Sequence, residues 1–212
     1  LKGARIGISA RRDTTTGFAA LELANRMGWD PDFDISIQFN GRNVEHLDEG
    51  NVDAIIASET RYAVALREGY PILEDTETWD VAVGGNSVLT TESWLSEGNN
   101  REKAQRFLQA SVEGLAIFHN DRALALDVME RWYGIDDAAE REVIYDRGQW
   151  MPRKPFPCYE GTENTLRMYD SLEMRKHKPD DFYDDALLRE LDESGFIDAF
   201  YPDQAASASA GS

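Results

Sequence analysis

Apolar and polar residues alternate in short segments over the first half of the chain. Residues 4–9 predict a short buried strand, 34–39 a second strand that alternates apolar and polar positions, and 52–57 a third. A helical pattern follows each strand, and the three helical segments cover residues 17–27, 44–47 and 60–66. Strands that alternate with helices predict βαβ units and a largely parallel sheet covered on both faces.

Turn residues and further apolar runs set the expected boundaries. Thr14, Thr15 and Thr16 stand where a helix N-cap is needed, and Gly28 stands where that helix ends. Two more strands are predicted, a short one over 71–73 and a long one over 81–91 that is interrupted by two glycines.

The second half of the chain is predicted to be mostly helical. The first of its helices begins near a capping box of Asn99 and Glu102, and the next two begin near Asp121 and Asp136-Asp137. Prolines make residues 151–158 an extended linker, and a helix over 162–174 and a short acidic helix follow. The small, polar residues 205–212 are expected to be disordered.

Composition then narrows the function classes. The 212 residues carry 40 acidic and 22 basic side chains, a formal net charge of −18 that disfavours a general nucleic-acid binder. The single cysteine, Cys158, excludes an intrachain disulfide and a multi-cysteine metal site. No apolar stretch approaches the roughly 18 residues of a membrane span, and the first residues do not form a signal peptide.

Four segments in a particular order resemble a known family. They are Leu1-Lys-Gly-Ala-Arg-Ile-Gly-Ile-Ser, Gly50-Asn-Val-Asp-Ala-Ile, Val88-Leu-Thr-Thr, and the run from Asp181-Phe-Tyr-Asp-Asp to Ser-Gly-Phe-Ile-Asp198. Together they resemble the periplasmic substrate-binding proteins of nitrate, sulfonate, taurine and thiamine-pyrimidine ABC transporters. The resemblance covers residues 1 to about 201 and depends on the ordered set, since no single segment is specific.

The resemblance implies an α/β chain of the type II periplasmic-binding-protein fold, with a parallel-rich sheet lobe and a helical C-terminal part. Residues 1–80 would form the second lobe, 81–91 the hinge crossover, and 92–204 the helical return segment of the first lobe. In the family an N-terminal half-lobe precedes the segment that matches Leu1. We therefore expect that half-lobe on a second chain or outside this sequence, or a shortened variant of the fold.

The first candidate ligand loop follows the first strand. Ligands of open α/β sheets bind beyond the carboxyl ends of the strands, near helix N-termini with unpaired N–H groups. Hydroxyls of Ser9, Thr14, Thr15 and Thr16 are the predicted ligand contacts there. The alternative is structural, with one threonine capping the helix and Arg11 and Arg12 solvated.

The remaining candidate ligand residues lie after the third strand and at the crossover. They are Ser58, Glu59, Tyr62, Trp79 and Asn86. Glu59 would favour a ligand with an N–H donor or positive charge unless it points to solvent, and Trp79 could stack on a ligand ring. The other four tryptophans are interpreted as packing residues.

Catalytic patterns are weak. The three histidines, His46, His119 and His177, are isolated, and neither a metal site nor a nucleophile motif is evident. The sequence therefore favours a solute-binding protein that captures a small polar organic ligand, such as a pyrimidine or sulfonate, for ABC-transporter uptake, with no cofactor or metal. Its expected partners are that ligand and a permease, and its expected location is periplasmic or extracellular. The alternatives are an enzyme on the same scaffold, either a pyrimidine-precursor synthase or an aromatic-acid decarboxylase, and, more weakly, a ligand-sensing domain of a regulator.

Overall fold

The computed structural model describes residues 1–84 and 87–202, apart from the side chain of Glu59. Over these residues the chain is rich in helix and contains one small parallel sheet. The strands are β1 (Arg5–Gly7), β2 (Ser36–Gln38) and β3 (Ala54–Ile55). The helices are α1 (Thr15–Met27), α2 (Glu45–Asp48), α3 (Glu59–Arg67), α4 (Glu92–Ser96), α5 (Asn100–Asn120), α6 (Arg122–Tyr133), α7 (Ala138–Gly148), α8 (Tyr159–Met168) and α9 (Ala186–Glu193), with short 3-10 turns at Thr76–Trp79, Met174–Lys176, Pro179–Phe182 and Asp198–Phe200.

The chain divides into two units. The first, called here the α/β unit, comprises Leu1–Gly85 and Cys158–Asp181, and the second, called the helical unit, comprises Asn86–Pro157 and Phe182–Ser212. The predicted lobe ended near residue 80 and did not include Cys158–Asp181, which groups here with the sheet. Whether the units correspond to the lobes of a binding protein stays a prediction.

The sheet of the α/β unit confirms the predicted alternation of strands and helices. Its strands lie in the order β2-β1-β3, all parallel, and Ile6 pairs with Ile37 on one side and with Ala54 on the other. The central strand is buried between its neighbours and against α1, and Ile6 is 1% exposed. The core around it contains Leu23, Ala24, Ile35 and Trp79.

Helix α1 begins and ends where the sequence predicts. The Thr14 side chain accepts a hydrogen bond from the Gly17 N–H, and Gly28 adopts the left-handed conformation with φ of 65°. This position brings the N-terminus of α1 to the end of β1.

Two of the predicted strands are wrong. Residues 71–73 form no strand, and Ile72 and Leu73 are exposed. The described residues of 81–91 also form no strand: the Ala82 carbonyl accepts a hydrogen bond from the Asn164 side chain, and Val88 and Leu89 are exposed. A short apolar run becomes a strand only where another strand offers its backbone, and no strand pairs with the described residues of either segment.

The helical unit has two core clusters. The first consists of Val112 and Ala116 of α5 with Leu188, Leu191, Ile197 and Tyr201. The second consists of Ala125 and Met129 of α6 with Tyr145 of α7. The predicted caps of α6 and α7 are confirmed, because the carboxylates of Asp121 and Asp137 accept hydrogen bonds from the N–H groups of Leu124 and Glu140. The Asn99 side chain makes no cap hydrogen bond, so that part of the predicted capping box is wrong.

Two further differences from the predictions concern a helix boundary and the tryptophans. Helix α8 begins three residues earlier than predicted and ends at Met168, so residues 169–173 are not helical. Trp132 and Trp150 are 83% and 73% exposed, so their interpretation as packing residues is wrong.

Two predictions concern residues outside the described part of the chain: Asn86 as a ligand residue and 205–212 as a disordered tail. Across the described part of the chain, no helix is both long and apolar enough to cross a membrane.

Candidate functional site

The candidate site lies at the carboxyl end of the sheet in the α/β unit. Because β1 is central, the chain passes from β1 to one neighbour and then crosses to the other, and such switch points are the usual ligand sites of open α/β sheets. The loop from Ile8 to Thr14, called here the β1–α1 loop, leaves the sheet at this position.

Three hydroxyls cross-link the ends of the β1–α1 loop. Ser9 Oγ lies 2.8 Å from Thr14 Oγ1 and 2.7 Å from Thr16 Oγ1. The Thr14 hydroxyl donates to the Arg11 carbonyl at 2.8 Å, and the Ser9 N–H donates to Thr16 Oγ1 at 3.0 Å. Each hydroxyl therefore donates once if the bonds run from Thr16 to Ser9 to Thr14 to Arg11. This arrangement leaves no hydroxyl hydrogen of the cluster for a ligand.

Thr15 differs from its two neighbours. It is exposed, and within the described part of the chain its hydroxyl makes no hydrogen bond, whereas Thr16 is only 5% exposed. Of the four predicted hydroxyls, Thr15 is therefore the one available to a ligand, and Ser9, Thr14 and Thr16 support the loop.

This division predicts a contrast between adjacent threonines. We expect Thr16→Val to lower the free energy of unfolding by about 1–3 kcal/mol, because the partly buried Ser9 N–H loses its acceptor and the Ser9 hydroxyl loses a partner. We expect Thr15→Val, the same change at an exposed position, to stay within about 0.5 kcal/mol of the wild type. Urea unfolding followed by circular dichroism measures both, and equal effects would contradict the proposed roles.

A pocket of about 350 Å³ lies against the β1–α1 loop. Its lining consists of Ala10, Arg11, Arg12, Asp13, Phe39 and Tyr169. Tyr169 follows α8, and its hydroxyl donates to the Arg12 carbonyl at 2.6 Å. A residue distant in sequence thus forms part of the wall of this open pocket.

A tight turn after β2 positions Phe39. The next residue, Asn40, is left-handed with φ of 58°, and its N–H donates to the Ser9 carbonyl at 3.0 Å. The Gly41 N–H donates to the Ile8 carbonyl at 3.1 Å. Asparagine is among the few residues other than glycine that adopt this conformation readily, so the turn beside the pocket has a defined shape.

The charged side chains of the pocket are paired. Arg11 binds both carboxylate oxygens of Asp13, at 2.7 and 2.6 Å, and Arg12 binds Asp32 at 2.7 Å. The hydrogen bond from Arg11 lowers the pKa of Asp13 below its ordinary value. Burial, and then the charge of Asp13, raises the pKa of Tyr169, so this phenol stays protonated at neutral pH. Each guanidinium at the pocket therefore already has a carboxylate partner.

A second groove of about 600 Å³ lies beside the first pocket. It runs along one side of α1 and shares Arg12 and Tyr169 with the first pocket. Its other lining residues are Leu21, Glu22, Asn25, Pro31, Asp32, Arg167, Met168 and Asp170.

Among the described residues, no group of three or more His, Cys, Asp or Glu side chains is arranged to hold a metal ion.

None of the predicted ligand residues whose side chains the structure describes lines the first pocket, and this includes Ser9 and the three threonines of the β1–α1 loop. Ser58 is the N-cap residue of α3 and makes no side-chain cap hydrogen bond, and Tyr62 is half-buried on the same helix. Glu59 begins α3, and its side chain lies outside the described part of the structure. Their contact with a ligand stays a prediction, as does that of Asn86.

Trp79 belongs to the core of the α/β unit. It is 8% exposed, its indole N–H donates to Glu74 at 2.9 Å, and the Arg26 guanidinium lies 5.2 Å from the ring centre. That Trp79 stacks on a ligand ring stays a prediction. Its burial does not favour this role, because little of the ring is exposed to a ligand.

None of the six pocket residues was predicted as a ligand contact. Four of them lie in the predicted ligand loop, where Arg11 and Arg12 were considered only in the structural alternative, as solvated side chains. Phe39 was predicted as part of a strand and Tyr169 as part of a helix. Phe39 could have been predicted as a pocket residue, because it lies at the carboxyl end of a strand. Nothing in the sequence points to Tyr169, because only the fold brings it to the loop.

Comparison with protein-family models, curated proteins and solved structures finds no match for this chain, so the family resemblance stays a prediction.

Proposed function

We propose that this chain is a solute-binding protein that captures a small polar organic ligand for uptake by an ABC transporter. The observation that carries the proposal is the pocket of about 350 Å³ at the carboxyl end of a parallel sheet. Its size falls within the range of small-molecule sites, which is about 300–1,000 Å³. The type II binding-protein fold, the permease partner and the periplasmic or extracellular location are parts of the same proposal.

The shape of the site supports binding. Backbone hydrogen bonds hold the turn at Asn40 and Gly41 against the end of β1, and the Tyr169 hydroxyl holds the loop from the other side. A site formed in advance loses little entropy when a ligand enters.

Binding without turnover is the predicted behaviour. Native mass spectrometry of the purified protein, followed by the denatured sample, detects any small molecule that is already bound. Isothermal titration calorimetry then tests nitrate, taurine, methanesulfonate, benzenesulfonate, benzoate and the aminopyrimidine of thiamine. We expect at least one to bind with one-to-one stoichiometry and to be recovered unchanged by liquid chromatography.

Two results would contradict this function. A chemically altered ligand after incubation would favour the enzyme on the same scaffold. No binding by any member of the panel, together with no copurified small molecule, would remove the support for a solute-binding protein.

A further inference from the structure

Phe39 directly follows β2 and combines exposure to solvent with a position in the pocket wall. Its side chain is 55% exposed although it lines the pocket, and the left-handed Asn40 holds the turn in which it lies. Apolar surface kept in water is unfavourable, and where it borders a pocket it commonly marks a binding site. Phe39 thus offers a ligand an aromatic surface that the fold itself does not use.

Tyr169 supplies a second ring to the same pocket. Its hydroxyl is committed to the Arg12 carbonyl, so the phenol is fixed in place and its polar end is already satisfied. The surface that Tyr169 offers a ligand is therefore mainly that of its ring.

The charges at the pocket offer little to a simple anion. Arg11 and Arg12 are paired with Asp13 and Asp32, so an anion would compete with a carboxylate for either guanidinium. The nearby charge of Asp13 would also oppose its entry. A ligand with a ring gains contact with Phe39 and Tyr169 without disturbing these pairs.

We propose that the solute is an aromatic or heteroaromatic molecule, and that Phe39 and Tyr169 select its ring in preference to a small aliphatic or inorganic anion. This inference rests on the proposed solute-binding function and specifies its ligand class. Aromatic rings attract one another in offset or edge-to-face arrangements, beyond the gain from buried area alone.

The test compares probes that differ by a ring. Benzenesulfonate and methanesulfonate share a headgroup, and calorimetry with saturation-transfer NMR measures the binding of each. We expect benzenesulfonate to bind the wild type more tightly. In Phe39→Leu, which keeps an apolar side chain but removes the ring, we expect its affinity to fall roughly threefold to tenfold, the loss of one aromatic pair.

Two variants separate the ring from other effects. Phe33→Leu is the matched control, because Phe33 is 87% exposed and does not line the pocket, and we expect unchanged affinity. Tyr169→Phe keeps the ring but removes the hydrogen bond to Arg12, so it should retain the preference for benzenesulfonate over methanesulfonate. Thermal melting of each variant confirms that it is folded before binding is compared.

The outcomes distinguish this inference from the function on which it rests. Binding of methanesulfonate or nitrate as tight as that of benzenesulfonate, with no effect of Phe39→Leu, would overturn the ring preference and leave solute binding intact. If no panel member binds the wild type and no small molecule copurifies, both proposals fail together.

Discussion

Gly17→Ala is expected to destabilise the α/β unit strongly and to disrupt the candidate site. A Cβ atom at this position would lie 2.0 Å from the Arg12 carbonyl oxygen and 2.5 Å from the carbonyl carbon. The clash is with backbone, so the β1–α1 loop itself must move. We expect a loss of about 3 kcal/mol in the free energy of unfolding, near the upper end of the usual cost of overpacking.

A second glycine provides the control. Gly114 lies within α5, where an added Cβ would meet no atom within 4 Å, and its backbone has ordinary helical geometry. We expect Gly114→Ala to stabilise the protein by about 0.5–1 kcal/mol, since alanine is the better helix former. Urea unfolding measures both variants, and comparable stability of the two would contradict the close approach of the loop to α1.

The displacement of the loop also predicts a loss of binding. The Arg12 carbonyl accepts the Tyr169 hydroxyl, and Arg12 lines the pocket, so movement of this carbonyl alters the pocket wall. Any ligand that binds the wild type should bind Gly17→Ala more weakly, even at temperatures where the variant is folded.

Local sequence patterns were sufficient for the elements that are determined locally. The apolar runs around Ile6, Ile37 and Ile55 predicted three strands, and Thr14 and Gly28 predicted the ends of α1. These signals work because burial on a sheet and capping of a helix depend on residues close in sequence.

The wrong strands show where local patterns fail. The apolar residues of 71–73 and 81–91 resemble strand sequences, but a strand also needs a partner that the sequence does not specify. Residues 82–84 instead lie against α8, where the Asn164 side chain donates to the Ala82 carbonyl. Trp132 illustrates the same limit for helices, since an apolar stripe is buried only as far as neighbouring elements cover it.

The candidate site was predicted as a location rather than as a set of contacts. The β1–α1 loop could be chosen because parallel sheets place ligand loops at the carboxyl ends of their strands. The distinction between Thr15 and the two structural threonines depends on the folded backbone around Ser9. Tyr169 lies 157 residues from Arg12 in sequence, so only the fold brings the two together.

Ile197→Ala is the second substitution with a large expected effect, and it tests the helical unit. Ile197 is 0% exposed and packs with Val112, Ala116, Leu188 and Leu191. Removing its side chain loses buried apolar surface and leaves a cavity between α5 and α9. We expect the free energy of unfolding to fall by about 2–5 kcal/mol, and by about 0.5–1.5 kcal/mol for the smaller change Ile197→Val.

The location of the effect is as informative as its size. Hydrogen exchange measured by mass spectrometry should show lost protection in the amides of α5 and α9, because their shared core is weakened. Ile72→Ala is the control: Ile72 is 42% exposed, so its removal should cost less than about 0.5 kcal/mol. If Ile197→Ala were no more destabilising than Ile72→Ala, the packing of α9 on α5 could not be the main support of the helical unit. A large loss for alanine and a smaller one for valine would instead show that the α5–α9 cluster contributes strongly to the stability of the unit.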